Sequence, residues 1–228
     1  MRVLPLLLLS LLLCGCEDSR SAREAGRLVG NALRLAVLLP PLPGGDAEPP
    51  RYDPPEGNLD EPGDTVPGGP SLLVSYGSQR KVFTLLQANG EQRLWRSADG
   101  TVMGTDGARV VATAGLSTWV AATRFDGPDP LASATALLDQ PATARRLVDL
   151  MTGARDPQRM RFGVSLECRL RAALAEDALY VEERCGGGAR FVNRFWADPA
   201  TGAVWRSEQW VGIDDRLMTV EVITPPAT

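Results

Sequence analysis

The chain contains no histidine, and one lysine, Lys81, stands against 23 arginines. Without imidazole there is no serine–histidine–acid triad, no cysteine–histidine dyad and no histidine metal ligand. Basic excess is also missing. The net charge is −4, so the basic footprint of a general nucleic-acid binder is absent. Apolar runs are short: Val3 to Leu13, broken by Pro5 and Ser10, falls well below the roughly 20 residues that cross a bilayer. What is present is ordinary globular material, 44% apolar and 23% charged over 228 residues.

That short run follows Met1-Arg2 and ends Leu13-Cys14-Gly15-Cys16. A basic start, an apolar stretch and small residues before a cysteine read as a secretory signal with a lipobox. Residues 1–15 are then the signal peptide, and Cys16 is the acylated first residue of the mature chain. Each buried methylene contributes about 0.8 kcal/mol, so several acyl chains anchor strongly. Glu17, rather than aspartate, follows the anchor and favours sorting to the outer membrane.

Residues 16–39 form the anchor and an amphipathic helix. Arg20, Arg23, Arg27, Asn31 and Arg34 make one polar stripe at helical spacing, suited either to an anionic membrane surface or to packing on a domain. Residues 40–70 hold ten of the 18 prolines, seven acids and one arginine. Such a stretch cannot bury a core and reads as an extended acidic linker.

From 71 to 228 the pattern is β. Turn signals recur at Asn89-Gly90, Asp99-Gly100, Asp106-Gly107, Asp156-Pro157, Gly186-Gly187-Gly188, Asp198-Pro199 and Asp214-Asp215. Met160, Phe162, Val164, Leu166, Cys168 and Leu170 alternate with polar or small residues, which predicts one buried and one wet face. Further strands are expected at 71–76, 80–88, 91–97, 108–114, 179–185, 190–196, 203–211 and 217–224. Segment 116–151 is less legible, with a short helix near 132–138 and a strand or helix at 144–151. The expected fold is all-β: one twisted antiparallel meander, a half-barrel or partly open barrel, with the N-terminal helix and linker outside it.

Cys168 and Cys185 remain as a pair in an oxidising compartment, and a structural disulfide is expected. A hairpin that pairs them turns between Glu176 and Asp177. It also sets Leu170 opposite Glu183, an awkward match for a core face.

Catalytic signals are weak. Ser78-Gln79-Arg80-Lys81 matches S-x-x-K, but that chemistry needs a helix and a later K-T-G, and no second lysine exists. Glu167, Glu182, Glu183, Asp198 and Glu208 could supply a glycosidase-type pair, yet each is expected on a wet strand face or in a turn. No metal cluster has ligand spacing, and no cofactor is expected. Trp95, Trp119, Trp196, Trp205 and Trp210 are either core or sugar-stacking platforms. Asn193, Trp196, Gln209 and Trp210 are the expected contact surface for a partner or glycan.

Several of these features, in order, resemble one family. The lipobox and following helix, Asn89-Gly90 with Trp95, Thr113-x-Gly115-Leu116, Glu167-Cys168, Glu183-x-Cys185, Asn193-x-x-Trp196 and Ser207-x-Gln209-Trp210 are similar to the YjbF-like, or group 4 capsule polysaccharide, lipoproteins. The resemblance implies a non-enzymatic accessory to production or export of exopolysaccharide or capsule. It implies a place on the periplasmic side of the outer membrane, with an outer-membrane β-barrel-like protein and a periplasmic partner. Ala114 and Ser117-Thr118-Trp119-Val120 depart from the family pattern, which tends to arginine and then Gly-x-Asp-Leu there. The alternative from another class is a half-barrel carrier of lipid acyl chains, which needs a continuous apolar pocket. A polysaccharide hydrolase is a third.

Overall fold

The computed structural model describes residues 68–116, 118–152, 158, 160–212 and 216–226. The expected signal peptide, Cys16, the helix over 16–39 and the linker up to residue 67 lie outside the described residues. Twelve strands run in one antiparallel sheet: β1 Ser71–Tyr76, β2 Gln79–Asn89, β3 Gln92–Ser97, β4 Val102–Asp106, β5 Arg109–Ala114, β6 Thr118–Phe125, β7 Ala142–Thr152, β8 Arg161–Ala175, β9 Ala178–Gly187, β10 Phe191–Ala197, β11 Val204–Trp210 and β12 Leu217–Thr224. The spatial order is β5-β4-β3-β2-β1-β12-β11-β10-β9-β8-β7-β6. Each strand therefore pairs with its chain neighbour, except at the β5/β6 break, and β1 closes on β12. The sheet curls nearly into a barrel, with β5 and β6 as its two edges.

The all-β expectation holds, and most strands lie where alternation and turn residues put them. Two strands escaped the sequence. β4 is only five residues with Gly104 at its centre, too short for a periodic signal. β6 contains Ala121-Ala122, which carries little contrast between faces. The helix expected near 132–138 is a 3-10 helix over Pro130–Leu138. Asp129 caps it by accepting from the Leu131 N–H at 3.0 Å, and Ser133 breaks it with φ −124°. The ambiguous 144–151 segment is strand β7.

Inward-facing side chains fill the barrel in two clusters. One gathers Leu150, Leu166, Leu170, Leu179, Val181 and Phe195 beneath the 3-10 helix. The other gathers Phe83, Trp95, Met103 and Met218 between β1–β4 and β12. Full burial of such side chains contributes about 1.5–3 kcal/mol apiece. Among the described residues no helix is long and apolar enough to cross a membrane.

The hairpin β8–β9 has the register that the cysteine positions imply. Cys168 pairs with Cys185 and Ala175 with Ala178, so the turn is Glu176-Asp177. Glu176 takes the positive φ, +42°, that such a tight reversal requires. The two cysteines are joined, with Cα atoms 4.1 Å apart. At the far end of β9 the glycines are structural. Gly187 has φ +112°, and a Cβ there would sit 2.7 Å from the Ser165 carbonyl oxygen.

Candidate functional site

The exposed strand faces are stitched by ion pairs, but the densest polar cluster lies inside the barrel. Arg109, at the start of β5, is 1% exposed, and Glu183, midway along β9, is 0% exposed. Arg109 Nη1 donates to Glu183 Oε2 at 2.8 Å. Its Nε and Nη2 donate to the two carboxylate oxygens of Asp129, the residue that caps the 3-10 helix. Asn193 Nδ2 on β10 also donates to Glu183 Oε2, at 2.6 Å, while its Oδ1 accepts the Trp210 backbone N–H at 2.7 Å. Arg146 on β7 is 3% exposed, with Nη2 3.9 Å from Glu183 Oε2. Both guanidiniums lie over aromatic rings: Arg109 over Phe125 and Phe195 at 5.1 and 5.3 Å, Arg146 over Phe191 at 5.3 Å. Desolvation is thus partly offset by cation–π attraction.

The cluster carries two positive and two negative groups. Burial pushes the Glu183 carboxyl up, but the Arg109 and Arg146 charges, with hydrogen bonds from Arg109 and Asn193, outweigh it and hold Glu183 below its ordinary value. Burial pushes Arg109 down, and Glu183 and Asp129 more than reverse this. Arg146 lacks such close partners. Burial, reinforced by repulsion from Arg109, lowers it to about 10. It remains charged at neutral pH.

Gln209 closes the edge of β5. Its Oε1 accepts the Val110 N–H at 3.0 Å and its Nε2 donates to the Ala108 carbonyl at 2.8 Å and to Ser207 Oγ at 2.9 Å. A side-chain amide here does the work of a neighbouring strand. On the other side of the break, the Val120 N–H of β6 donates to the Val211 carbonyl at 3.0 Å. The end of β11 thus satisfies backbone groups of both edge strands, which would otherwise be open to strand addition. Gln209→Leu is expected to destabilise the domain by about 1–3 kcal/mol, because it leaves the Ala108 and Val110 groups unpaired in the interior. Amide exchange at Val110 should accelerate with it; unchanged exchange would show that β5 is held by other contacts.

The four residues expected as a contact surface are all buried. Asn193 and Gln209 face inward and serve the polar cluster and the β5 edge. Trp210 stacks on Phe191 with ring centroids 4.4 Å apart. Trp196 lies beneath Arg206 at 5.2 Å and meets Tyr180 edge-on at 5.5 Å. They do not form one exposed patch. Parity carries no information on which polar side chains the curl of the sheet encloses.

The acids read as a possible hydrolytic pair are spoken for. Glu182 takes Arg184 at 2.8 Å and Arg171 at 3.3 Å; Glu208 takes Arg194 at 3.1 Å and Arg206 at 3.3 Å. Glu167 lies 3.5 Å from Arg145, and Asp198 accepts the N–H groups of Ala200 and Thr201 within its own turn. Glu183 was expected on a wet face and is the correction. It shares the inward face with Leu179, Val181 and Cys185, and Arg109 makes that position tolerable. Lys81 is paired with Asp99 at 2.6 Å. Among the described residues one trio has metal-ligand proximity, Cys168, Glu183 and Cys185, and the disulfide consumes two of its donors. Arg109, Asp129 and Arg146 were not singled out from the sequence. The mismatch of Leu170 with Glu183 was the one signal that pointed to this cluster.

The fold has a solved counterpart. The chain is similar to the crystal structure of a hypothetical lipoprotein, YmcC, from Escherichia coli K12, with 20% identity and a TM-score of 0.59 over 71% of this chain and 86% of that one. That likeness concerns the fold. Among curated proteins none matches the chain. The family model described as group 4 capsule polysaccharide lipoprotein gfcB, YjbF, matches residues 66–223, which covers all twelve strands except Thr224, the final residue of β12. A match of that extent, over more than half of the chain, places this chain in the group 4 capsule polysaccharide lipoprotein family.

Proposed function

We propose that this protein is an outer-membrane lipoprotein, anchored through Cys16 on the periplasmic side. In this reading it is a non-enzymatic binding or scaffolding accessory in the production or export of a capsule or exopolysaccharide. The observation that carries the reading is the family match across residues 66–223. The partners would be an outer-membrane β-barrel-like protein, a periplasmic component and the polysaccharide itself. The engagement of Glu167, Glu182, Asp198 and Glu208 by arginines or turn amides supports a binding rather than a hydrolytic role. The acyl-carrier alternative needs an apolar hollow. The described interior instead holds two packed clusters and a charged network, a poor lining for acyl chains.

Deletion of the gene is the direct test. Extracellular polysaccharide should fall sharply and return with the intact gene, while a Cys16→Ser form, which cannot be acylated, should restore it poorly. Unchanged surface polysaccharide in the deletion strain would remove the proposal.

A further inference from the structure

A bulge in β8 sets which of its side chains face outward. Val148 pairs with Val164 and Leu150 with Arg161, so Asp149 alone opposes both Phe162 and Gly163. Gly163 takes φ +60°, and its N–H is held by Asp149 Oδ1 at 2.7 Å. Phe162 shares the parity of the buried face but is turned out by the bulge and is 70% exposed. Beyond the bulge Val164, Leu166, Cys168 and Leu170 are buried, which leaves Arg169 and Arg171 on the outer wall. On β9 Leu179, Val181, Glu183 and Cys185 point inward, so Glu182 and Arg184 share that wall.

Register and ion pairs bring three guanidiniums together there. Arg169 lies directly opposite Arg184, and Arg171 directly opposite Glu182. Glu182 Oε1 accepts from Arg184 Nε at 2.8 Å and from Arg171 Nη2 at 3.3 Å. One carboxylate thus holds two arginines side by side. Arg169 faces Arg184 with no ion-pair partner of its own among the described residues. Like charges directly opposite one another on a sheet are destabilising. Farther round the same wall the arginines meet acids: Arg194 lies 3.1 Å from Glu208, and Arg206 lies 3.3 Å from Glu208 and 2.9 Å from Glu221. Arg169, Arg171 and Arg184 are all half-buried and stay within reach of a ligand. The large exposed apolar residues, Leu86, Leu138, Phe162 and Leu174, stand outside these two rows of the sheet. The patch therefore lacks both the apolar centre of a protein interface and the foothold of a membrane contact. Planar guanidiniums side by side suit the oxygens of an acidic group.

We propose that Arg169, Arg171 and Arg184, on the outer wall of β8–β9, form a contact site for the acidic groups of a polysaccharide. The inference rests on the polysaccharide reading above and names a place and a chemistry for it. The full-length protein in non-ionic detergent, titrated with a galacturonate hexasaccharide, should show saturable binding that weakens as salt is raised. Neutral maltohexaose should bind at least roughly ten-fold more weakly. Arg169→Glu sets an opposite charge across from Arg184, so it should weaken galacturonate binding about ten-fold or more without lowering the unfolding temperature. Arg169→Gln should act in the same direction by about three-fold or more. Arg124→Gln removes an exposed arginine of β6 outside the patch and should leave binding unchanged. Arg169 variants that bind as well as the parent, an equal loss in Arg124→Gln, equal affinity for the neutral sugar, or a glutamate hexapeptide bound as tightly as the galacturonate would each overturn the site. The two proposals separate in the deletion strain. If the Arg169 variants restore polysaccharide fully, the contact site fails and the accessory role stands; if the parent gene itself restores nothing, the role fails.

Discussion

Arg109→Met is expected to lower the stability of the barrel domain by about 3–5 kcal/mol, the range found when one partner of a buried ion pair is removed. The substitution leaves Glu183 fully buried with its close countercharge gone, and frees Asp129 from its two-pronged contact. A domain of this size has only about 5–15 kcal/mol in total, so the variant should sit near the edge of unfolding. The double variant Arg109→Met/Glu183→Leu should recover a large part of the loss, because apolar side chains of similar volume often replace a buried pair without penalty. Acid separates the two cases. Glu183 is held below its unfolded value, so its contribution is present above the ordinary carboxylate range and is lost as pH falls through the folded value. The parent should therefore weaken on acidification below about pH 4. In Arg109→Met the strongest opposing charge is gone and burial dominates, so stability should rise as Glu183 takes up its proton. Urea midpoints at neutral and acidic pH measure both. A single-variant loss under about 1 kcal/mol, or the same acid response in parent and variant, would show that the pair contributes little to the stability of the barrel.

Loss of the Cys168–Cys185 bridge should cost about 3 kcal/mol on the chain-entropy account, since it closes a loop with a sequence separation of 17. The paired substitution Cys168→Ala/Cys185→Ala removes it without leaving a buried thiol. Reduction of the parent in mild urea should give a matching fall in the unfolding midpoint. The effect should not simply add to that of Arg109→Met. Cys185 lies two residues from Glu183 on the same face, and Arg146 Nη2 reaches its sulfur at 4.0 Å, so the two perturbations share neighbours. A loss under about 1 kcal/mol would mean that the hairpin is already constrained in the unfolded chain.

Local order in this protein was legible because it depends on residues close in sequence. Period-two alternation and Gly or Asp turn residues located most strands, and the cysteine positions set the β8–β9 register through a two-residue turn. The same arithmetic placed Leu170 against Glu183, and the structure kept that pairing rather than avoiding it. Where local contrast was low, as at Ala121-Ala122 in β6 or around Gly104 in β4, the strand went unseen. Phe162 was assigned to the buried face because a bulge resets parity, and nothing but Gly163 and a distant Asp149 marks it.

The sequence by itself determined the all-β meander, the register of the β8–β9 hairpin and the family, since turns and alternation act over a few residues. Only the tertiary structure decided which polar side chains went inside. Arg109 meets Glu183 across 74 residues, and Gln209 meets Val110 across 99. Those meetings exist because the sheet curls until β5 lies against β9–β11. A charge on an inward-facing position is stable only when its partner arrives from the other side of the barrel.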